Sequence, residues 1–133
     1  MTLPLSKVSK KVYGIEINET SVNDAIRNKE MNNVNNVHFI LGKTEEKIKE
    51  ISEEIDLIVI DPPRKGCDAS LLNSIISKKI EKIIYVSCNP ATLARDLRVL
   101  SDEGYEIKEI SLFDMFPNTT HVECVVLMSK VQK

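Results

Sequence analysis

The sequence has 133 residues, of which 42% are hydrophobic and 29% charged, with a formal net charge of -2. That length fits one domain able to bury a single core, and no apolar run is long enough to span a bilayer as a helix. The near-neutral charge excludes a domain that grips nucleic acid by electrostatics alone. Met1 to Lys11 is too short, Pro-interrupted and Lys-rich for a secretory signal. Cys67, Cys88 and Cys124 are too few and scattered for a disulfide framework and lack zinc-site spacing. No metal is therefore expected, and reduced thiols in a cytoplasmic protein are.

In chain order, Thr2 to Ser9 reads as the tail of a helix, and Val12 to Ile17 as a strand. A helix from Glu19 to about Met31 follows, with Val22, Ala25 and Ile26 on one face and Asn18 or Thr20 as its cap. The Asn-rich stretch Asn32 to Asn36 is a helix end and turn. Val37 to Leu41 is a second strand and Lys43 to Ile51 a charged, solvated helix. Asp56 to Ile60 is nearly all apolar, as a strand buried on both faces of a parallel sheet would be. Asp68 is placed to cap a helix running through Ser77, and Lys82 to Ser87 is a fourth strand. Pro90 suits the first turn of a helix striped with Leu93, Leu97 and Leu100, and Gly104 stops it. Tyr105 to Phe113 and His121 to Ser129 then read as strands with no helix between them, hence antiparallel neighbours. Alternating strands and helices ending in an antiparallel pair indicate a doubly wound, Rossmann-like α/β sheet.

Four stretches carry chemistry. Gly14-Ile15-Glu16 ends the first strand, where a carboxylate can accept from both hydroxyls of a ribose; in isolation a Glu at a strand end is more often a solvated charge, and its place in the βαβ pattern reverses that balance. Asp61-Pro62-Pro63-Arg64-Lys65-Gly66 follows a buried strand, at the end where open α/β sheets bind ligands. Its two prolines stiffen a loop that bears a carboxylate and a guanidinium. In Ser87-Cys88-Asn89-Pro90 a strand gives way to a helix, with Asn89 as cap. A thiol there faces the positive end of the helix dipole, which favours thiolate and suits a nucleophile; an inert buried cysteine is the other reading. The stretch from Asp114 to Glu123 joins the last two strands and brings Phe116, His121 and Glu123 to one edge. Glu123 could serve as a general base or stand as a surface charge; His121, Cys67 and Cys124 are read as structural.

In this order the four stretches resemble the RNA 5-methyluridine methyltransferases, which methylate uridines of transfer and ribosomal RNA. The likeness rests on Gly-Ile-Glu, Asp-Pro-Pro-Arg-Lys-Gly, Ser-Cys-Asn-Pro and Phe-Pro-x-Thr-x-His-Val-Glu, and covers about Val12 to Met128. It implies a class I methyltransferase fold with S-adenosylmethionine as cofactor. Glu16 would hold the cofactor ribose, Asp61 would border cofactor and target base, and Arg64 would position the substrate. Cys88 would be the nucleophile and Glu123 the base. The thiolate adds to carbon 6 of uracil, making carbon 5 nucleophilic enough to take a methyl group, on a base drawn out of its stack.

The family pattern also includes an N-terminal RNA-binding domain, a central segment, a first strand and a Gly-rich cofactor loop, none of which is found in these residues. Residues 1–133 are therefore expected to form a partial catalytic domain with an incomplete cofactor site, inactive alone, its RNA contacts made largely elsewhere. A strand absent between those ending at Glu16 and Asp61 would leave two interior edges, to be closed by a strand shift or by dimerisation. Two rival readings are a base amino-group methyltransferase, against which Arg64 and Cys88 speak, and a non-catalytic α/β scaffold.

Overall fold

The computed structural model describes residues 1–115, 117–119 and 122–131. Phe116 and His121, which the fourth stretch singled out, lie outside the described residues, as does Thr120 of the same stretch. The chain divides into two compact units, Met1–Ile51 and Ser52–Lys133.

In the first unit, helix α1 (Thr2–Ser6) precedes strand β1 (Val12–Glu16), helix α2 (Glu19–Met31), strand β2 (Val37–Leu41) and helix α3 (Thr44–Glu50). β1 and β2 pair in parallel, Val12 opposite Val37 through Glu16 opposite Leu41, joined by α2 as a crossover of this kind requires. Of the two caps considered, Asn18 serves α2: its side chain accepts from the Ser21 N–H at 3.1 Å. Asn36 closes the start of the unit, its amide donating to the carbonyls of Ser6 and Ser9 at 2.9 and 2.8 Å. Val22, Val37, Ile48 and Ile51 are the unit's buried apolar side chains. Gly14 answers to space, since a Cβ there would come within 2.7 Å of the Phe39 ring on the neighbouring strand.

The second unit holds β3 (Leu57–Ile60), α4 (Ala69–Ser77), β4 (Lys82–Ser87), α5 (Pro90–Asp102), β5 (Tyr105–Phe113) and β6 (Glu123–Lys130). Its sheet has the order β3-β4-β6-β5. β3 runs parallel to β4, while β6 is antiparallel to both β4 and β5. The two final strands are thus antiparallel neighbours, as expected, with β6 inserted between β4 and β5.

Burial alternates along β4 and β6, with period 2. Ile83, Tyr85 and Ser87 are buried, as are their ladder partners Met128, Val126 and Cys124. The phenol of Tyr85 reaches Asp96 on α5, so α5 lies on this face, bringing buried Leu93, Leu97 and Leu100 to the core. On the opposite face Ile84, Val86, Val125 and Leu127 are only half-buried. There Ile84, Val125 and Leu127, with Glu109 and Ser111 of β5, line an open depression of about 210 Å³.

Two expectations are corrected. β3 is not buried on both faces: Leu57 is exposed, Ile58 and Val59 are half-buried, and only Ile60 is buried. The reason is that β3 pairs with β4 alone among the described residues, just as β1 pairs with β2 alone, so each keeps an open edge. Asp68 stands at the N-cap of α4 but makes no side-chain cap bond. Its carboxylate instead accepts from Lys65 Nζ at 3.1 and 3.2 Å, where an ammonium outcompetes a backbone amide.

Candidate active site

Because β3 and β4 are parallel and β6 is antiparallel to them, the carboxyl ends of β3 and β4 and the amino end of β6 share one edge of the second unit. Asp61 follows β3, Cys88 follows β4, and Glu123 begins β6. The last rung between β4 and β6 is Ser87 opposite Cys124. Cys88 and Glu123 are the next residues along their strands past that rung. Glu123 also falls on the face of Val125 and Leu127, opposite Phe113 of β5, and Cys88 follows Ile84 and Val86 in the same alternation. Four residues predicted from sequence, Asp61, Arg64, Cys88 and Glu123, therefore gather at one end of one sheet.

The Asp61 loop is held there by the first two turns of α5. Pro63 to Gly66 forms a turn closed by Gly66 N–H donating to the Pro63 carbonyl at 2.8 Å. The Arg64 carbonyl accepts from Asn89 Nδ2 and from Thr92 Oγ1, both at 3.1 Å. Arg95 Nη2 donates to the carbonyls of Lys65 at 3.0 Å and Cys67 at 3.3 Å. The Cys67 N–H donates to Asp96 Oδ2 at 2.7 Å. Asn89, Thr92 and the Arg95–Asp96 pair recur about once per turn, so they form one row along the helix. That row receives the loop backbone, leaving the side chains of Asp61 and Arg64 exposed.

Asn89 links the two motifs directly. It caps α5, its side-chain oxygen accepting from Ala91 N–H at 3.1 Å, while its amide holds the Arg64 carbonyl. Ser87 Oγ accepts from the Asn89 N–H at 3.0 Å and donates to the Asn89 carbonyl at 3.1 Å. Cys88 is thus enclosed in a tight turn, half-buried, at the position just before the cap. The other thiols differ from it. Cys67 and Cys124 are buried; burial pushes the Cys67 thiol from 9.0 up to about 11 and raises Cys124 as well. Both stay protonated and inert near neutrality, which supports reading them as structural.

In the first unit, Glu16 lies exposed at the carboxyl end of β1. Its Oε1 accepts from the Asn18 N–H at 2.9 Å, which sets the carboxylate's direction without burying it. A carboxylate is an acceptor only, so this exposed side chain is free to take further hydrogen bonds from donors in solution.

Sequence reasoning missed Asp96. It is 1% exposed and gathers three donors: Cys67 N–H, Tyr85 O–H at 2.6 Å and Arg95 Nε at 2.8 Å. Burial, together with the Asp96 carboxylate, drives the Tyr85 phenol strongly upward, keeping it a protonated donor. The signal was present in the stripe of α5, where Asp96 falls on the buried face between Leu93 and Leu100. A carboxylate on an apolar face needs partners, and here they come from the loop and β4.

The profile of the family described as tRNA (Uracil-5-)-methyltransferase matches residues 1–131. An uncharacterized RNA methyltransferase of Bacillus cereus (strain ATCC 10987 / NRS 248) is 53% identical, over 100% of this chain and 30% of the relative. Among solved structures, the Pyrococcus abyssi tRNA (uracil-54, C5)-methyltransferase in complex with S-adenosyl-L-homocysteine superposes with a TM-score of 0.80 at 38% identity, covering 93% of this chain and 30% of that one. A Streptococcus thermophilus rRNA methylase gives a TM-score of 0.73 at 16% identity, covering 96% and 78%, a likeness of fold alone. The fold is the Rossmann-like α/β fold of class I methyltransferases. The chain spans 30% of the length of the Bacillus relative and of the Pyrococcus enzyme. With the profile covering nearly every residue and half of all positions shared with the Bacillus relative, this chain belongs to the tRNA (uracil-5-)-methyltransferase family.

Proposed function

We propose that the protein carrying this chain transfers a methyl group from S-adenosylmethionine to carbon 5 of a uridine in transfer or ribosomal RNA, through a covalent Cys88–uracil bond. The observation that carries this reading is the Ser87–Cys124 rung, which brings a half-buried thiol and the Glu123 carboxylate to one sheet end beside the Asp61–Arg64 loop. The cofactor, when bound, supplies an electrophilic methyl group. Glu16 is the proposed acceptor for its ribose hydroxyls, and Asp61 the carboxylate bordering cofactor and base.

The Cys88 thiolate attacks carbon 6 of uracil, forming a carbon–sulfur bond and moving the ring's electron pair toward carbon 5 and its carbonyl. Once carbon 5 has gained its methyl group, Glu123 takes the proton from that carbon. The electron pair left behind expels Cys88 and restores the ring, so one difficult substitution becomes several easier steps. Arg64 is the proposed positioning group, a guanidinium suited to the uracil carbonyls or a flanking phosphate. Activity is proposed for a polypeptide of the relatives' length, and the 133 residues alone are proposed to be inactive.

The test is transfer of labelled methyl from S-adenosylmethionine to unmodified transfer and ribosomal RNA by such a polypeptide, followed by nucleoside analysis. The reading predicts label in 5-methyluridine. Label on a base amino group, or none in either RNA, would contradict it.

A further inference from the structure

Resting on that reading and deepening it, we propose that Asp96 is the positioning residue of the site, fixing the Asp61–Arg64 loop against the helix that carries Cys88. Asp96 touches neither proposed reactant position; it acts through three anchors.

Its Oδ2 receives the Cys67 N–H at the far end of the loop and the Tyr85 O–H from β4, the strand that delivers Cys88. Its Oδ1 receives Arg95, whose other nitrogen holds the carbonyls of Lys65 and Cys67. The loop, the strand and the helix therefore meet at one carboxylate. Among the described residues no buried side-chain polar atom lacks a partner, so the network is complete and its geometry determined. The loop approaches so closely that a Cβ on Gly66 would lie 2.6 Å from both Arg95 Nη2 and Asp96 Oδ2. Mere burial of a core would be served by a leucine at this position, in line with Leu93, Leu97 and Leu100. An anionic acceptor is explained by the need to bind backbone and phenol donors from two other segments at once. Reacting groups misplaced by about 1 Å can lose some 100-fold in rate, which is why a residue behind the loop matters to the chemistry before it.

The experiment measures covalent trapping on 5-fluorouridine RNA, in the presence of S-adenosylmethionine, by a polypeptide of the relatives' length. Wild type is compared with Asp96→Asn and with Arg95→Ala, whose partly exposed side chain can be lost with less risk to folding. For each, the trapping rate constant is recorded separately from the amplitude, which counts folded molecules. Positioning predicts a rate constant at least 10-fold lower in Asp96→Asn and several-fold lower in Arg95→Ala, with RNA affinity within about twofold of wild type. A lower amplitude with an unchanged rate constant would show a structural role and overturn the proposal. Should Asp96→Asn fail to fold, the Arg95→Ala rate constant decides in the same way. If wild type forms no adduct, the uridine reading itself fails and this proposal falls with it; if wild type reacts and the variants match it, only the proposal falls.

Discussion

Gly66→Ala should destabilise the second unit far more than a comparable change at Gly104. Both glycines sit at left-handed φ, +80° and +89°, but a Cβ at Gly104 would meet nothing within 4 Å. Gly104→Ala therefore reports the conformational cost alone, about 1–2 kcal/mol. At Gly66 the methyl would also press on Arg95 Nη2 and Asp96 Oδ2. Arg95 is partly exposed and can retreat, at little net cost. Asp96 cannot move without loosening bonds from Tyr85 and Cys67, each a hydrogen bond to a charged group worth about 1.5–3 kcal/mol. Losing the better part of one such bond brings Gly66→Ala to about 3–4 kcal/mol, some 2 kcal/mol beyond Gly104→Ala. Urea unfolding of both variants, followed by circular dichroism, measures the difference. Equal destabilisation within about 0.5 kcal/mol would refute the claim that the loop is anchored on the Arg95–Asp96 pair.

Asn89→Ala removes both the cap of α5 and the bond to the Arg64 carbonyl; it should cost about 1–2 kcal/mol and speed amide exchange in the Arg64–Cys67 segment. Removing the phenol in Tyr105→Phe breaks the buried 2.7 Å bond to the Ile80 carbonyl and should cost about 1 kcal/mol by denaturant unfolding. Cys67 is neutral in the folded state until pH approaches 11, against 9.0 for an unperturbed thiol. Its contribution to stability is thus fully present below pH 9 and lost as pH rises through 11. Cys67→Ala should accordingly flatten the alkaline fall of the unfolding midpoint between those values, and a fall identical to wild type would count against that assignment.

The fold was largely legible because apolar runs and caps spoke locally: Asn18 and Asn89 cap the helices expected of them, and the final strands pair antiparallel. What misled was competition between partners. Asp68 has a capping residue's position, but Lys65 three residues earlier takes its carboxylate. The apolar run of β3 specifies a strand with two faces to cover, yet says nothing of how many neighbours cover them, and Leu57 is exposed. At the site, Asp61, Arg64, Cys88 and Glu123 were marked by chemistry next to strand ends, which sequence displays. Asp96 showed only as a carboxylate on the apolar stripe of α5; what it holds was not legible, because Tyr85 and Cys67 lie 11 and 29 residues away and only the folded chain brings them to it.

The central claim is that Cys88 is the nucleophile toward a uridine. A polypeptide of the relatives' length would be incubated with S-adenosylmethionine and RNA containing 5-fluorouridine, then digested and the peptides weighed. Fluorine at carbon 5 cannot leave as a proton does, so the covalent intermediate accumulates. The account predicts a methylated fluorouridine mass on the peptide bearing Cys88, absent in Cys88→Ala and retained when Cys67 or Cys124 is changed to Ala. An adduct on any other residue, or methylation of natural RNA that survives Cys88→Ala, would contradict it.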